Sequence, residues 1–341
     1  MMIKAPLLLF FAILLAYGAQ SPGVPVWPQP PQKPRIAYVK SITKAEDLGI
    51  KKGFFARLWD FVAGREERKL LKPFGIHHDG ERLYVTDPGL KALVIFDKKR
   101  GRADFVGRSE ALDFIMPVDV VTDEKGNIYV TDSMRAVVFK LDAKGKLLKK
   151  FGHHFLKRPT GIVYDRAAKR LIVVDTVAGN LKVFSTDGVY LDKKGRPGRG
   201  EGEFNRPTFA AADSDRFVYV SDSMNFRIQI LDHNLSFVKA FGKLGTVAGT
   251  FGSPRGVAVD AKKRVYVTDT LFNNVQIFDQ NGSVLLAFGS YGTGPGEFVI
   301  PEDITITKDA TIYITDSYNM RVQVFRILDT DSSAIFQGGG K

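Results

Sequence analysis

Along most of the chain, runs of about four to seven apolar or alternating residues are separated by polar turns rich in Gly, Asp, Asn and Lys. Such runs, rich in Val, Ile, Tyr and Phe, predict β-strands. One phrase returns six times: an apolar run closed by an aspartate, a polar turn, then a second run. The copies are LYVTDPGLKALVIF (83–96), IYVTDSMRAVVFKL (128–141), LIVVDTVAGNLKVF (171–184), VYVSDSMNFRIQIL (218–231), VYVTDTLFNNVQIF (265–278) and IYITDSYNMRVQVF (312–325). Their aspartates, Asp87, Asp132, Asp175, Asp222, Asp269 and Asp316, are spaced by 45, 43, 47, 47 and 47 residues. A fixed period of this length marks a repeat architecture.

Each period adds two further runs. A Pro-initiated run precedes the hairpin, as in KPFGIHHD (72–79), MPVDVVTD (116–123), RPTGIVYD (158–165), RPTFAAAD (206–213), SPRGVAVD (253–260) and IPEDITIT (300–307). A fourth run follows it, as in KLLKKFG (146–152), LSFVKAFG (235–242) and SVLLAFG (283–289). Four antiparallel strands per period, repeated radially, describe a β-propeller blade. The expected fold is therefore all-β, a six-bladed β-propeller over 72–329, with blades at about 72–107, 116–152, 158–194, 206–242, 253–289 and 300–327. The sixth period lacks a good fourth strand, and 330–341 reads as a flexible tail. RIAYVKSI (35–42) alternates well and is expected to close that blade, removing an exposed edge. Between it and blade 1, in the segment 35–71, KKGFFARLWDFVAG (51–64) carries Phe54, Leu58, Phe61 and Val62 at helical spacing, which predicts a short amphipathic helix packed on the propeller, with a membrane-surface helix the alternative.

These units resemble NHL repeats, whose pattern is a Gly-rich approach, a Pro, a short strand and then V-x-D-t-x-N-x-R-i-q-v-F. SDSMNFRIQI and TDSYNMRVQVF match closely, including Asn225/Arg227 and Asn319/Arg321, and the approaches are GRPGRGEGEFNRP (195–207), GKLGTVAGTFGSP (242–254) and GSYGTGPGEFVIP (289–301). The likeness spans about 72–326 and fits blades 1 to 3 less well, where Pro88-Gly89, Arg135 and Ala178-Gly179 break the Asn-x-Arg spacing. It implies that the motif residues are architectural. The motif's aspartate is expected to accept N–H groups of the turn that follows it. Phe96, Phe184, Phe278 and Phe325 are expected to fill the space between blades.

The N-terminus speaks to location. A positive start, Met1–Lys4, leads into PLLLFFAILLA (6–16), a core of signal-peptide length followed by small residues at Ala16 and Gly18. Residues 1–19 are expected to be a leader cleaved near 18–20, with retention as an anchor the alternative. No cysteine stands at the end of the apolar core, so a lipoprotein anchor is excluded. The stretch 20–34 holds six prolines in SPGVPVWPQPPQKP (21–34) and reads as a semi-rigid spacer outside the core. The expected location is exported, periplasmic or extracellular.

Composition narrows the chemistry. With 44% hydrophobic and 25% charged residues the chain can bury a core. The absence of cysteine removes disulfides, Cys-zinc sites and a Cys nucleophile. Some NHL propellers are lyases that hold a metal through histidines from several blades. Here His77 and His78 share one strand, His153 and His154 share one loop, and His233 lies in an outer turn. Successive strand residues point to opposite faces, so no three-blade set is formed and no cofactor is expected. The residues after each Pro should crown the channel: Phe74, Val118, Thr160, Thr208, Arg255 and Glu302. One position on, Asp119 and Asp303 replace a glycine, and with Glu302 and Arg255 they form a candidate channel mouth. The carboxylates there can hold Ca²⁺ or simply water and backbone.

The net charge of +12 favours anionic partners. Basic turns such as DKKRGR (97–102), DAKGK (142–146), DRAAKR (165–170) and DAKKR (260–264) should fall on one face. The opposite face should carry Met134, Met224, Phe226, Leu271, Phe272, Tyr318 and Met320, large apolar groups on turns that mark a candidate protein-binding surface. The reading is a non-catalytic, monomeric scaffold that binds another envelope or extracellular protein. Alternatives are a metal-dependent channel lyase or hydrolase, and a binder of an anionic cell-surface polymer or nucleic acid through the basic face. An export leader argues against nucleic acid.

Overall fold

A computed structural model describes residues 23–50, 69–107 and 112–328. The expected leader, the helix at 51–64 and the tail at 330–341 lie outside those residues. Within them the chain forms a six-bladed β-propeller of antiparallel blades. Blade 1 runs Ile76–His78, Arg82–Asp87, Ala92–Asp97 and Arg102–Val106 from channel to rim. In blades 2 to 6 the innermost strand starts on a proline, as in Pro117–Thr122, Pro159–Asp165, Pro207–Ala212, Pro254–Val259 and Pro301–Ile306. Proline suits that position because it begins a strand and need not donate to the ladder.

Both faces of each blade are covered, so strands such as Arg82–Asp87 and Ala92–Asp97 are almost wholly buried. Six apolar clusters form, and each straddles two neighbouring blades. Tyr84 faces Ile128 of blade 2, whereas Val85, next along the strand, joins Val322 of blade 6. The phenylalanine closing a third strand meets one from the outer strand of the preceding blade. Ring centroids lie 5.4 Å apart for Phe151–Phe184, 4.9 Å for Phe241–Phe278 and 5.2 Å for Phe288–Phe325. These aromatics fill the inter-blade wedge.

Hydrogen bonds near the channel also link one blade to the next. The Thr86 hydroxyl donates to the Val118 carbonyl at 2.8 Å, Thr131 to Thr160 at 2.5 Å, Thr268 to Glu302 at 2.9 Å and Thr315 to Phe74 at 2.7 Å. Blade 3 has Val174 at this position, and the hydroxyl of Thr160 bridges instead to the carbonyl of Thr208 at 2.7 Å. Blade 4 reaches blade 5 through Ser223, which donates to the Pro254 carbonyl at 2.6 Å.

Ring closure follows the expected route. Ile36–Ile42 pairs antiparallel with Arg321–Ile327 as the fourth strand of blade 6. The proline-rich stretch departs from its expected role as a bare spacer. Val26–Trp27 adds a fifth strand alongside Ile36–Ile42, and the Trp27 indole packs on Phe288 and Phe325 at 5.6 and 5.9 Å. Six prolines hid one aromatic that docks in the wedge between blades 5 and 6.

Ile42 is fully buried between blades 6 and 1, whereas Val39 on the same strand is half exposed. Ile42→Ala is expected to lower the melting temperature by about 4–15 °C. Val39→Ala should stay within about 2 °C. Calorimetry on both variants checks this; equal, small shifts would mean that the strand does not bear on closure.

Candidate functional site

The innermost strands ring a channel, and alternating side-chain size determines what occupies it. At equivalent positions stand Gly75, Asp119, Gly161, Phe209, Gly256 and Asp303. A Cβ on Gly75 would lie 2.2 Å from the Val118 carbonyl oxygen, and one on Gly256 would lie 2.6 Å from the Asp303 Cα. Glycine on alternate blades thus lets neighbouring strands approach closely, and three side chains remain to fill the axis.

Those side chains sit at two levels. Phe209 meets Phe74 of the opposite blade with centroids 6.0 Å apart, and with Val118 they form a buried apolar layer edged by Met116. Above this layer is a cavity of about 250 Å³ that opens on the face bearing the turns between second and third strands. Thr160, Thr208, Arg158, Arg206 and Arg255 line it. Below lies a second cavity of about 290 Å³, walled by the innermost strands and lined by Asp119, Asp303, His77 and Arg166 among others.

The expected channel mouth therefore divides. Asp119 and Asp303 are not at a mouth; they are buried beneath the apolar layer and hold the backbone of adjacent blades. Asp119 accepts from the N–H groups of Ile162 at 2.8 Å and Val120 at 2.7 Å, while Asp303 accepts from Ile76 at 2.9 Å. Burial pushes the Asp119 carboxyl up to about 7. It raises Asp303 well above the usual carboxylate range, with the nearby Asp119 charge acting in the same direction. Arg255 belongs to the upper cavity. Its Nη1 is 3.8 Å from Oε2 of Glu302, a contact without a hydrogen bond. Burial raises the Glu302 carboxyl, opposed by Arg255 and Lys72.

Histidine is absent from this centre as a ligand set. His77 lines the lower cavity and pairs with the Thr122 hydroxyl at 3.0 Å, its pKa pushed down to about 4 by burial. His78 stacks on Tyr313 at 5.6 Å. Among the described residues no three His, Cys, Asp or Glu side chains are placed to hold a metal ion.

The two outer faces differ. On the face around the upper cavity, Met134, Met224, Leu271, Tyr318 and Met320 are exposed, with Tyr318 at 73%. Leu71, Val177, Leu244, Val247, Tyr291 and Ile300 add to them from the same loops. Two candidates behave otherwise. Phe226 is half-buried and packs on the blade 4–5 cluster, and Phe272 is half-buried, its ring close over Gly252. Phe226 and Met320 also share a left-handed backbone, φ 56° and 54°, that bulky residues seldom adopt. For Phe226 the packing compensates. Met320 is exposed and has no such compensation.

On the opposite face, Val189 is the one large apolar side chain exposed from a turn among the described residues. Some of its basic residues are paired locally. Lys263 meets Asp213 and Asp215, each at 3.1 Å, Arg264 meets Asp260 at 2.6 Å, and Arg170 and Arg216 share Asp165, each at 3.0 Å. The turns are pinned as well: the hydroxyls of Tyr84, Tyr129 and Tyr266 donate to Asp79, Asp123 and Asp260 at 2.7, 3.0 and 3.0 Å. The basic face read from the sequence is thus compensated in part; Lys98, Lys144, Lys146, Arg166, Lys169 and Lys262 make no ion pair among the described residues.

Residues 159–241 and 251–331, blades 3 to 6, match the family described as DUF5128, 6-bladed beta-propeller. Among solved structures, a streptogramin B lyase superposes with a TM-score of 0.57 at 14% identity, over 76% of this chain and 94% of that one. An auxiliary nutrient binding protein from Bacteroides thetaiotaomicron gives 0.59 at 14% identity, over 75% and 69%. A propeller in a nidogen/laminin complex gives 0.52 at 19% identity, over 65% and 84%. Likeness at these identities concerns the fold.

The buried aspartates make stability depend on pH. A carboxyl with a raised folded-state pKa keeps a proton that the unfolded chain has released. Its contribution is therefore full at low pH and is lost as pH rises through the folded value. His77 acts in the opposite sense, but only below its unfolded value of 6.5. The urea midpoint is expected to fall as pH rises above about 6.5, and Asp303→Asn should lessen that fall, leaving the share carried by Asp119. A wild-type midpoint that does not move over that range would show that the pair is not held protonated.

Proposed function

We propose that this six-bladed propeller is an exported, non-catalytic binding module built of NHL-type repeats, which docks another envelope or extracellular protein. The observation that carries the reading is the one-sided distribution of exposed apolar side chains. Loops of the face around the upper cavity present Met134, Met224, Leu271, Tyr318 and Met320 to solvent, while among the described residues the turns of the other face expose one large apolar side chain, Val189. Large apolar groups gathered on one face of a monomer favour a protein partner.

The repeat type rests on the motif's own bonds. Asn225, Arg227 and Gln229 converge on Asp222, and Asn319, Arg321 and Gln323 on Asp316. Export rests on the N-terminal sequence. Among the described residues no helix is long and apolar enough to cross a membrane. An export leader weighs against nucleic acid as the partner, and the pairing of Arg170, Lys263 and Arg264 with local carboxylates lessens the pull of that face on an anionic polymer. The lyase among similar propellers suggests the channel-enzyme alternative, but His77 is committed to Thr122 and His78 to Tyr313. Other similar propellers are described as nutrient binding proteins or sit in a nidogen/laminin complex, which accords with binding.

Phe226 is unsuitable for testing the face, since its substitution would also disturb the core. Photo-crosslinking residues at Leu271 and at Tyr318, compared with one at Lys169 on the opposite face, provide the test in the native host. One shared partner from the first two sites and none from the third is expected. Equal capture from all three would overturn the assignment of the face.

A further inference from the structure

The upper cavity combines two features that a simple loop mouth does not need. Its floor is the apolar layer of Phe74, Val118 and Phe209. Its wall carries Arg158, Arg206 and Arg255, from three consecutive blades. Arg158 and Arg206 make no ion pair among the described residues. The Nε of Arg255 is buried without a hydrogen-bond partner, and its one acidic neighbour, Glu302, stands at 3.8 Å. The Arg255 side chain lines the cavity, and among the described residues its one ion-pair contact is that long one to Glu302.

Most of the lining hydroxyls are already committed, Ser133 to the Pro159 carbonyl and Thr176 to that of Pro207. Thr160 bonds the Thr208 carbonyl and Thr208 pairs with Ser223, each at 2.7–2.8 Å. The donors that remain are the guanidinium groups and the Ser253 hydroxyl, and a guanidinium's planar fork matches a carboxylate in bidentate fashion. A volume of about 250 Å³ is at the small end for ligand pockets, roughly 300–1,000 Å³, which limits the ligand to a compact molecule.

We propose that the mouth of the channel is a binding site for a small organic carboxylate, its apolar body on the Phe74–Val118–Phe209 floor and its carboxylate held by Arg255 with Arg158 and Arg206. The site shares its face with the docking surface but does not depend on it, since a partner can rest on the outer turns with the cavity empty or filled. It assigns a ligand class to a cavity that the docking reading leaves without a role.

The test is calorimetric titration of the purified mature protein with phenylacetate and isovalerate, beside phenylacetamide and acetate. Saturable binding of at least one of the two acids is expected, with the neutral amide and bare acetate each weaker by about tenfold or more. Arg255→Gln and Arg206→Gln should each weaken binding by about fivefold or more, and Arg166→Gln, at the opposite cavity, should leave it unchanged. Thermal melts of each variant separate lost binding from lost folding, and the two cavity variants stand in for each other if one is unstable. Equal binding of amide and acid, unchanged affinity in both cavity variants, or no saturable binding of either acid at about 10 mM would overturn the proposal. Neither result bears on whether the outer turns dock a protein.

Discussion

Six buried carboxylates, each ending the second strand of a blade, hold the loops of one face in place. All six are fully buried, and each accepts N–H groups from the loop that leads into its own blade. Asp87 receives those of Leu71 and Lys72, Asp132 those of Ile115 and Met116, Asp175 those of Lys157 and Arg158, and Asp269 those of Gly252 and Ser253. Asp132 and Asp269 also take N–H groups of the turn that follows. A charge so far from water is tolerable only with its hydrogen-bonding capacity satisfied. The loops supply the donors and are fixed by doing so. In blades 4 and 6 the hold is extended: Arg321 reaches from Asp316 to the carbonyls of Thr293, Gly294 and Glu297, and Arg227 reaches from Asp222 to those of Gly200 and Glu203.

Closure of the ring sets a second condition, met along the axis. Six inner strands can draw together only if some lack side chains, and glycine on every other blade satisfies this. Asp119, Phe209 and Asp303 occupy the space so released, each beside a blade that carries glycine. Two of them bond the next strand's backbone. The third closes the axis by meeting Phe74. The channel is consequently blocked at mid-height, and its two ends serve different faces.

The repeat made the blades, their order and the closing strand legible before any coordinates, because a period near 47 residues and period-2 alternation survive in a linear string. Trp27 was hidden because proline composition argues for a spacer, and nothing local shows that two residues between prolines will pair with a strand ten positions on. The aspartates were recognised as turn-fasteners, but their bonds to loops 15–17 residues upstream depend on tertiary approach. Asp119 and Asp303 stood out as departures from glycine. Their depth was not legible, since it depends on Phe74 and Phe209 meeting from opposite blades. Phe226 and Tyr318 look alike in the repeat, two aromatics in equivalent turns, yet one offset of two positions puts Phe226 on the core and Tyr318 in solvent.

That offset explains why one face is free to vary. On the opposite face turn side chains themselves help satisfy the fold: Asp79, Asp123 and Asp260 take tyrosine hydroxyls, and Arg82 and Arg264 pair with Asp79 and Asp260. Around the upper cavity the backbone is instead satisfied from below: buried aspartates take N–H groups of the turn in blades 1, 2, 3 and 5, and in blades 4 and 6 they take one from the incoming loop, whose carbonyls receive the turn's N–H groups. The residues just after these aspartates, Met134, Met224, Leu271 and Tyr318, are left with no structural bond to make. A fold that fixes a turn through its backbone leaves its side chains open to selection for binding, whereas one that fixes it through side chains does not. The same division places the uncompensated arginines on the face where apolar residues are exposed. Recognition of a surface and of a small anion can therefore coexist there without disturbing the ring.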